Sequence, residues 1–504
     1  MLHGEPRACG PSVIPLPRMG LGKLRFAACA GLVAIGACKT RDVVPGGPTP
    51  LVLISFDTLR ADRLNCYGYA RRTVSPNIDA LARDGILFEN HISAAPWTIP
   101  AHISLLTSLW PSNHGVTASL REINAEDDQY PVLSESRTTL AELLVARGYA
   151  TAAFTAGDTL DPRFGFGQGF SIYRTNMFKL HAEPMREMEQ WVAERRAEPF
   201  FLFWHTFEPH APYLGTRFLE EVLPPDRAAS VREAVERYGN RLRRGEVHPG
   251  RFKSILVRRD AFEPAVLEAL YVGAVADADR WVGRFLDELR ALELYDRSLI
   301  IFTSDHGEEF ADRSPDAFYN AHGHSLWREM VRVPLVVKLP GQEAAGTRVD
   351  ALSRAVDVMP TALDALRLPG SPQMQGTSLR PLWESETSEP RTVFVEALED
   401  VSEKKAVQAE RYKYLVAIGA ESVARRGRAH IPASPEWRGL YDLESDPGET
   451  SNLLEGPVSP ERERAAAGLD RELRDHLAAQ RPDSRPEAID PATVERLRQL
   501  GYVE

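Results

Sequence analysis

The stretch Ala94-Ala-Pro-Trp-Thr98-Ile-Pro-Ala-His102-Ile-Ser-Leu-Leu-Thr-Ser-Leu-Trp-Pro-Ser-Asn-His-Gly-Val116 predicts a helix and, at its start, a reactive group. Pro100 has the backbone angle of a first helical turn. Apolar residues at Ile103, Leu106 and Leu109 follow it at helical spacing until Trp-Pro ends the run. We therefore expect Thr98 at or just before a helix N-terminus, where unpaired backbone N–H groups favour an anion. Thr98 could also be no more than the capping residue of this helix.

A motif within this stretch matches a known signature. The pattern Thr98-x-Pro100-Ala101-His102-x-x-Leu105-Leu106-Thr107 resembles the sulfatase signature Cys/Ser-x-Pro-Ser-Arg-x-x-Leu-Leu-Thr-Gly. The resemblance to the sulfatase family, within the alkaline phosphatase superfamily, extends from about Leu51 to the C-terminus. The chain differs from the family at two positions. Thr98 stands where sulfatases oxidise a residue to formylglycine, and His102 stands where they have arginine.

Two predicted strands end in residues that can bind a metal ion. The apolar run Leu51–Phe56 is typical of a buried parallel strand and is followed by Asp57, while Asp305 and His306 follow a predicted strand at 298–303. Side chains that follow parallel strands can converge at the same edge of a sheet. Together with Thr98, they resemble the metal site and bridging nucleophile of the superfamily.

The candidate ligands also indicate which metal ion is preferred. Calcium sulfatases usually have an Asp-Asp pair early in the chain and an Asp-Asn pair late, whereas this chain has Asp57-Thr58 and Asp305-His306. One carboxylate is lost and one nitrogen ligand is gained. This change favours zinc or manganese, with calcium as the alternative.

The nucleophile position indicates the reaction. Threonine does not mature to formylglycine by the route known for cysteine or serine, and a threonine sulfate ester cannot release sulfate by collapsing to an aldehyde. A phosphothreonine can be hydrolysed by water or can pass its phosphoryl group to an alcohol. Thr98 therefore favours phosphoryl esters (monoesters, diesters or phosphonates) over sulfate esters.

Three histidines are expected to complete the catalytic site. By the resemblance, His102, His210 and His324 would bind the substrate's non-bridging oxygens or protonate its leaving oxygen. His210 matches the histidine of the family's Asp-Pro-His-x-Pro-Tyr segment, and we interpret His205 as structural. His324 lies where family members have a lysine or histidine, but His322 fits nearly as well. The Gly-Lys-x-x-His segment of many sulfatases has no match here.

The N-terminus predicts a secreted, lipid-anchored protein. Within residues 1–38, Lys23 and Arg25 directly precede an apolar segment at 26–37, and Ile-Gly-Ala-Cys38 resembles a lipobox. An uncleaved anchor and a plain signal peptide are the alternatives. Residues 39–50 form a tether rich in Pro and Gly. We expect lipid on Cys38, which would hold the protein to a membrane of the bacterial cell envelope.

The predicted architecture is α/β, a three-layer α/β/α domain over residues 51–385 with a mostly parallel sheet and a smaller C-terminal α+β subdomain at 386–504. The net charge of −11 and the lack of a basic run argue against nucleic-acid binding. We predict a metal-dependent ester hydrolase whose substrate is a small molecule, a glycan ester or a lipid ester. A phospho-headgroup transferase of the envelope and a catalytically silent glycan-binding lipoprotein are the alternatives.

Overall fold

The computed structural model describes residues 49–117, 129–175, 179–180, 182–247, 251–313, 320–384, 390–399, 402–418, 437–488 and 494. The predicted signal peptide, Cys38 and most of the predicted tether lie outside these residues. The strands are β1 Leu51–Phe56, β2 Ile86–Ile92, β3 Gln129–Leu133, β4 Ala150–Phe154, β5 Ile172–Arg174, β6 Phe200–Thr206, β7 Leu299–Ser304, β8 Glu309–Phe310, β9 Asn320–Ala321, β10 Arg332–Lys338, β11 Thr347–Val349, β12 Ser353–Arg354, β13 Val393–Glu399, β14 Ser402–Gln408, β15 Tyr412–Ile418, β16 Trp437–Asp442 and β17 Ser484–Ala488.

The α-helices are α1 Pro76–Arg83, α2 Thr98–Thr107, α3 Pro111–His114, α4 Leu140–Val145, α5 Ala182–Glu194, α6 Pro225–Arg243, α7 Phe252–Val257, α8 Pro264–Ala291, α9 Arg328–Val331, α10 Val358–Ala365, α11 Arg380–Glu384 and α12 Pro460–Ala479. Short 3-10 turns occur at Ala61–Arg63, Asn65–Tyr67, Asp158–Leu160, Pro162–Phe164, Leu219–Glu221, Pro340–Gln342 and Ala355–Asp357. None of the helices in the described residues is long and apolar enough to cross a membrane.

A central sheet of nine strands organises the protein. Its order is β11-β2-β10-β7-β1-β6-β4-β5, and β12 pairs with β2. The middle strands β7, β1, β6 and β4 are parallel, while β10 runs antiparallel to both of its neighbours. All six residues of β1 are buried. A strand buried on both faces explains the continuous apolar run in its sequence.

Helices cover both faces of this sheet. Val52 and Ile54 of β1 belong to a hydrophobic core that includes residues of α1 and α8. Leu51 and Leu53 point to the other face, into a core that includes residues of α2 and α10. Successive side chains of a strand point to opposite faces, so one strand contributes to both cores. The predicted three-layer α/β/α architecture is thereby confirmed.

The C-terminal part forms a second, smaller sheet. Strands β13, β14, β15 and β16 pair antiparallel in that order. Helix α12 packs against the sheet through Leu469 and Leu473, which join Val407 and Leu440 in one core. The helix begins at a capping residue, Ser459, whose side chain accepts a hydrogen bond from a backbone N–H of the first turn. A further helix predicted at 492–500 lies almost wholly outside the described residues.

Candidate active site

Strands β1 and β7 bring the candidate metal ligands together. The two strands are parallel, with Phe56 opposite Ser304. Asp57 and Asp305 each follow by one residue and therefore leave the sheet side by side. The backbone N–H of Thr58 donates to Asp305 Oδ1 at 3.2 Å, which joins the two loops directly. The register of the sheet thus sets the distance between the two carboxylates.

Thr98 is the first residue of α2, and Trp97 occupies the N-cap position. The side chain of Thr98 is buried, and its Oγ1 donates to Asp57 Oδ2 at 3.3 Å and lies 3.4 Å from His306 Nε2. The hydroxyl therefore faces the acidic cluster instead of capping the helix. A nucleophile in this place has a carboxylate on one side and an imidazole on the other.

Asp57, Asp305 and His306 form a group that fits a divalent cation. One ligand atom from each lies within 4.8 Å of the other two, and all three residues are buried. Asp57 Oδ1 and Asp305 Oδ2 have no hydrogen-bond partner among the described residues. Two buried carboxylate oxygens without partners are costly unless a cation binds them. The geometry therefore supports a metal site, as the sequence predicts.

The pKa values of the two aspartates show that the protein alone does not stabilise their charged forms. Burial raises the pKa of Asp57 to about 7. Burial and the neighbouring Asp57 carboxylate raise the pKa of Asp305 well above its ordinary value. The Nδ1 atom of His306 lies 2.9 Å from the carbonyl oxygen of Gly307, so it carries the proton and leaves the Nε2 lone pair facing Thr98. This is the tautomer that a metal-binding histidine requires.

Two further histidines line the cluster beside His306. The His322 ring lies 4.5 Å from the His306 ring and 5.1 Å from the His210 ring, measured between centroids. His322 Nδ1 lies 3.1 Å from Glu308 Oε1, and Glu308 Oε2 accepts a hydrogen bond of 2.8 Å from the hydroxyl of Tyr213. Burial lowers the pKa of His322, but the charges of Glu308, Asp57 and Asp305 outweigh it and raise this pKa to about 9.

The structure places His324 differently from our expectation. Its Nε2 lies 2.7 Å from Glu309 Oε2, and no described contact joins it to Thr98 or to the candidate metal ligands. The reason is the short hairpin β8–β9, in which Glu309 pairs with Ala321. This pairing puts the next residue, His322, beside Glu308. His322 and not His324 is therefore the histidine of this segment that the fold brings to the cluster.

His102 is also placed differently from our expectation. We expected it to contact the substrate, but its side chain is buried and both ring nitrogens contact the protein. Nε2 lies 2.9 Å from Ser55 Oγ, and Nδ1 lies 3.0 Å from the carbonyl oxygen of Thr98 and 3.4 Å from Asp305 Oδ2. His102 thus lies behind the metal ligands, and no ring nitrogen is left for a substrate oxygen.

Lys179 belongs to the site although no sequence motif identifies it. Its buried Nζ donates to the carbonyl oxygens of Phe207 at 2.7 Å, Glu208 at 3.1 Å and His210 at 2.8 Å. Burial lowers its pKa to about 8, opposed by the charges of Glu208 and Asp57. Lys179 therefore fixes the backbone of the loop that carries His210. No motif surrounds this lysine, so only its contacts reveal it.

Comparisons with known proteins agree with this fold. A family model described as Sulfatase matches residues 50–368, and one described as N-sulphoglucosamine sulphohydrolase, C-terminal, matches residues 322–479. The multifunctional alkaline phosphatase superfamily protein PehA of Trinickia caryophylli is 27% identical, over 81% of this chain and 91% of its own. An N-acetylglucosamine-6-O-sulfatase of Bacteroides thetaiotaomicron is 22% identical, over 88% of this chain and 87% of its own.

A solved structure shows the same fold. The phosphonate monoester hydrolase of Agrobacterium radiobacter aligns with a TM-score of 0.61 at 22% identity, covering 86% of this chain and 95% of its own. The proteins similar to this chain thus include hydrolases of both sulfate and phosphonate esters.

Proposed function

Because the chain belongs to the sulfatase family, whose members are metal-dependent ester hydrolases, we propose that it hydrolyses phosphoryl esters in preference to sulfate esters, with Thr98 as the covalent nucleophile. The substrates would be phosphate monoesters, phosphodiesters or phosphonate esters. The observation that supports this proposal is the identity and place of Thr98: a buried hydroxyl 3.3 Å from Asp57 Oδ2, at the position where sulfatases carry formylglycine.

Thr98, Asp57, Asp305 and His306 would hold the metal ion. When bound there, a divalent ion would lower the pKa of the Thr98 hydroxyl and screen the charge of the substrate. The nitrogen ligand His306 favours zinc or manganese over calcium. The unpartnered oxygens Asp57 Oδ1 and Asp305 Oδ2 support the presence of an ion.

The proposed reaction has two steps, in which the phosphoryl group passes first to Thr98 and then to water. Thr98 Oγ1 gives its proton to Asp57 Oδ2, which accepts its hydrogen bond, and attacks phosphorus. The Oγ1–P bond forms as the bond to the leaving oxygen breaks, and His322 can donate a proton to that oxygen. Water then attacks the phosphothreonine and gives one proton to His322, while the Oγ1–P bond breaks and Asp57 returns its proton to Oγ1. The product is phosphate from a monoester, a phosphate monoester from a diester, or a phosphonate from a phosphonate ester. The Nδ1–H of His322 is held by Glu308 Oε1, which leaves its Nε2 to reach the substrate.

Sulfate ester hydrolysis is the second candidate, and it is favoured by the names of several similar proteins. The two functions differ in how the covalent ester is broken, because a threonine sulfate cannot collapse to an aldehyde. Aryl phosphate, aryl phosphodiester, aryl phosphonate and aryl sulfate should therefore be compared in one assay, with Thr98→Ala as the control. Faster turnover of the sulfate than of every phosphoryl ester would contradict the proposal.

The cellular location is a separate proposal. We propose that Cys38 carries lipid and that the protein is a membrane-anchored lipoprotein of the bacterial cell envelope, periplasmic or at the surface. The lipobox-like Ile-Gly-Ala-Cys38 and the Pro/Gly-rich tether after it support this proposal. A glycan ester or a lipid ester would be accessible to an enzyme in that place, and a small-molecule ester is the alternative substrate.

A further inference from the structure

Two buried histidines lie behind the candidate metal site, one next to each carboxylate. His102 belongs to α2 and His205 to β6. Their rings are 4.7 Å apart between centroids and nearly perpendicular, and neither side chain is exposed to solvent. Neither can therefore contact a substrate from the open side of the site, and their contacts with the two aspartates need another explanation.

The hydrogen bonds of His102 identify the nitrogen that carries its proton. A carbonyl oxygen can only accept, so Nδ1, which lies 3.0 Å from the carbonyl oxygen of Thr98, carries the proton. Nε2 then accepts from the hydroxyl of Ser55 at 2.9 Å. Nδ1 also lies 3.4 Å from Asp305 Oδ2, an oxygen that has no hydrogen-bond partner among the described residues. The protonated nitrogen is therefore hydrogen-bonded to the nucleophile's own residue and in contact with a metal ligand.

The hydrogen bonds of His205 give the opposite assignment. A backbone N–H can only donate, so Nδ1 of His205 accepts from Ala156, at 3.4 Å. The proton is therefore on Nε2, which has no hydrogen-bond partner among the described residues and lies 3.4 Å from Asp57 Oδ2. A buried N–H without an acceptor is costly, and this carboxylate is within reach.

From these contacts, we propose that His102 and His205 are positioning residues, which hold the carboxylates of Asp305 and Asp57 in the orientation that binds the metal ion. This inference rests on the proposed metal-dependent function. Partners behind a metal ligand fix its orientation and strengthen metal binding. Here the supporting groups are imidazoles and the ligands are carboxylates, and each histidine uses a different ring nitrogen.

The alternative is that His102 and His205 bind an ion themselves. Their nitrogens and one oxygen of Asp305 lie within 4.8 Å of one another, close enough for a second metal position. A ligand nitrogen must offer a lone pair. Nδ1 of His102 carries a proton because it contacts the carbonyl oxygen of Thr98. Nε2 of His205 carries a proton because Nδ1 of the same ring accepts the hydrogen bond from the Ala156 N–H. These protons favour a supporting role.

Because His102 carries its proton on Nδ1 and His205 carries its proton on Nε2, asparagine and glutamine variants should have opposite effects at the two positions. An asparagine side chain places its N–H₂ group near the position of imidazole Nδ1, and a glutamine side chain places it near Nε2. His102→Asn and His205→Gln should therefore keep the affinity for Zn²⁺ within about threefold. His102→Gln and His205→Asn should each weaken it by roughly 10- to 100-fold, the usual effect of losing a partner of a metal ligand.

The measurement is the Kd for Zn²⁺ of the purified full-length protein, by competition with a chromophoric chelator, together with the Tm of the metal-free protein. His91 is a matched control, because it is equally buried but contacts Ser353, a residue of the far strand β12. His91→Asn and His91→Gln should change the Tm and leave the Kd unchanged. Equal losses of affinity in both variants at each position would show packing effects only and would overturn the inference.

The zinc stoichiometry and the histidine tautomers give two further tests of the inference. Loss of a second equivalent of Zn²⁺ in the His102 and His205 variants would show that these residues are themselves ligands. If a variant does not fold, the ¹⁵N chemical shifts of the wild-type histidines provide the answer, since we predict the Nδ1–H tautomer for His102 and the Nε2–H tautomer for His205. The reverse tautomers would overturn the inference. Because the Kd is measured without substrate, failure of the phosphoesterase assay alone would refute the proposed function and not this one.

Discussion

Replacing Lys179 by methionine should separate its effect on the site from its effect on stability. The ammonium group donates to three backbone carbonyls, two of them in the segment from Glu208 to His210. Each hydrogen bond from a charged donor contributes about 1.5–3 kcal/mol, but burying the charge costs several kcal/mol. Lys179→Met should therefore lower the free energy of unfolding by about 3–4 kcal/mol, as urea titration can measure.

The catalytic effect of the same change follows from the position of His210. Without the ammonium, the carbonyl oxygen of His210 loses its donor and the loop can relax by about 1 Å, which typically costs about 100-fold in rate. We expect kcat/KM for an aryl phosphonate to fall by about this factor. Saturating metal ion should not restore it, because the candidate metal ligands are unchanged.

Lys338 offers a matched control. It is another buried lysine whose Nζ donates to backbone carbonyls, those of Tyr295 and Ser298, and burial lowers its pKa to about 8 as well. Lys338 belongs to β10 and does not contact the loop of His210. Lys338→Met should destabilise the protein by about 2–3 kcal/mol and leave kcat/KM within about threefold. Equal losses of activity in both variants, or none in Lys179→Met, would show that Lys179 does not position the loop of His210.

Three other predictions concern His322, the metal ion and the anchor. The protein raises the pKa of His322 to about 9, so an enzyme that uses His322 as the acid is active below this pH and loses activity as the pH rises through it. Glu308→Gln removes a charge that raises this pKa. The alkaline limb of the kcat profile should therefore move to lower pH by at least about one unit. An unmoved limb would exclude His322. After chelation, zinc or manganese should restore activity better than calcium because of the nitrogen ligand His306, and full recovery with calcium alone would contradict the ligand argument. Cys38→Ser should release the protein from the membrane fraction, and unchanged association would refute lipidation.

Much of the fold could be predicted because its signals are local. The apolar run of β1, the Pro100 turn of α2 and the apolar strand before Asp305 each determine an element by themselves, and the elements occur where the sequence predicts them. The antiparallel direction of β10 could not be predicted, since a buried strand is apolar whichever way it runs.

The composition of the site was less predictable, because it depends on contacts between distant segments. The register of the hairpin β8–β9 decides whether His322 or His324 lies beside the cluster. The sequence does not indicate this register. Lys179 acts through backbone carbonyls, which exist at every residue and leave no motif. His102 keeps its place in the motif, but its burial behind Asp305 follows from how α2 packs on the sheet.

The central claim is that Thr98 forms a covalent bond to the substrate's phosphorus. The most direct test is intact-mass analysis and peptide mapping of enzyme quenched during turnover of a slow phosphoryl ester. We predict a phosphoryl or phosphonyl adduct on the peptide that contains Thr98, little loss of activity in Thr98→Ser, and a loss of kcat of roughly 10³-fold or more in Thr98→Ala. No adduct, together with activity near the wild-type rate in Thr98→Ala, would show direct attack by water and would contradict this claim.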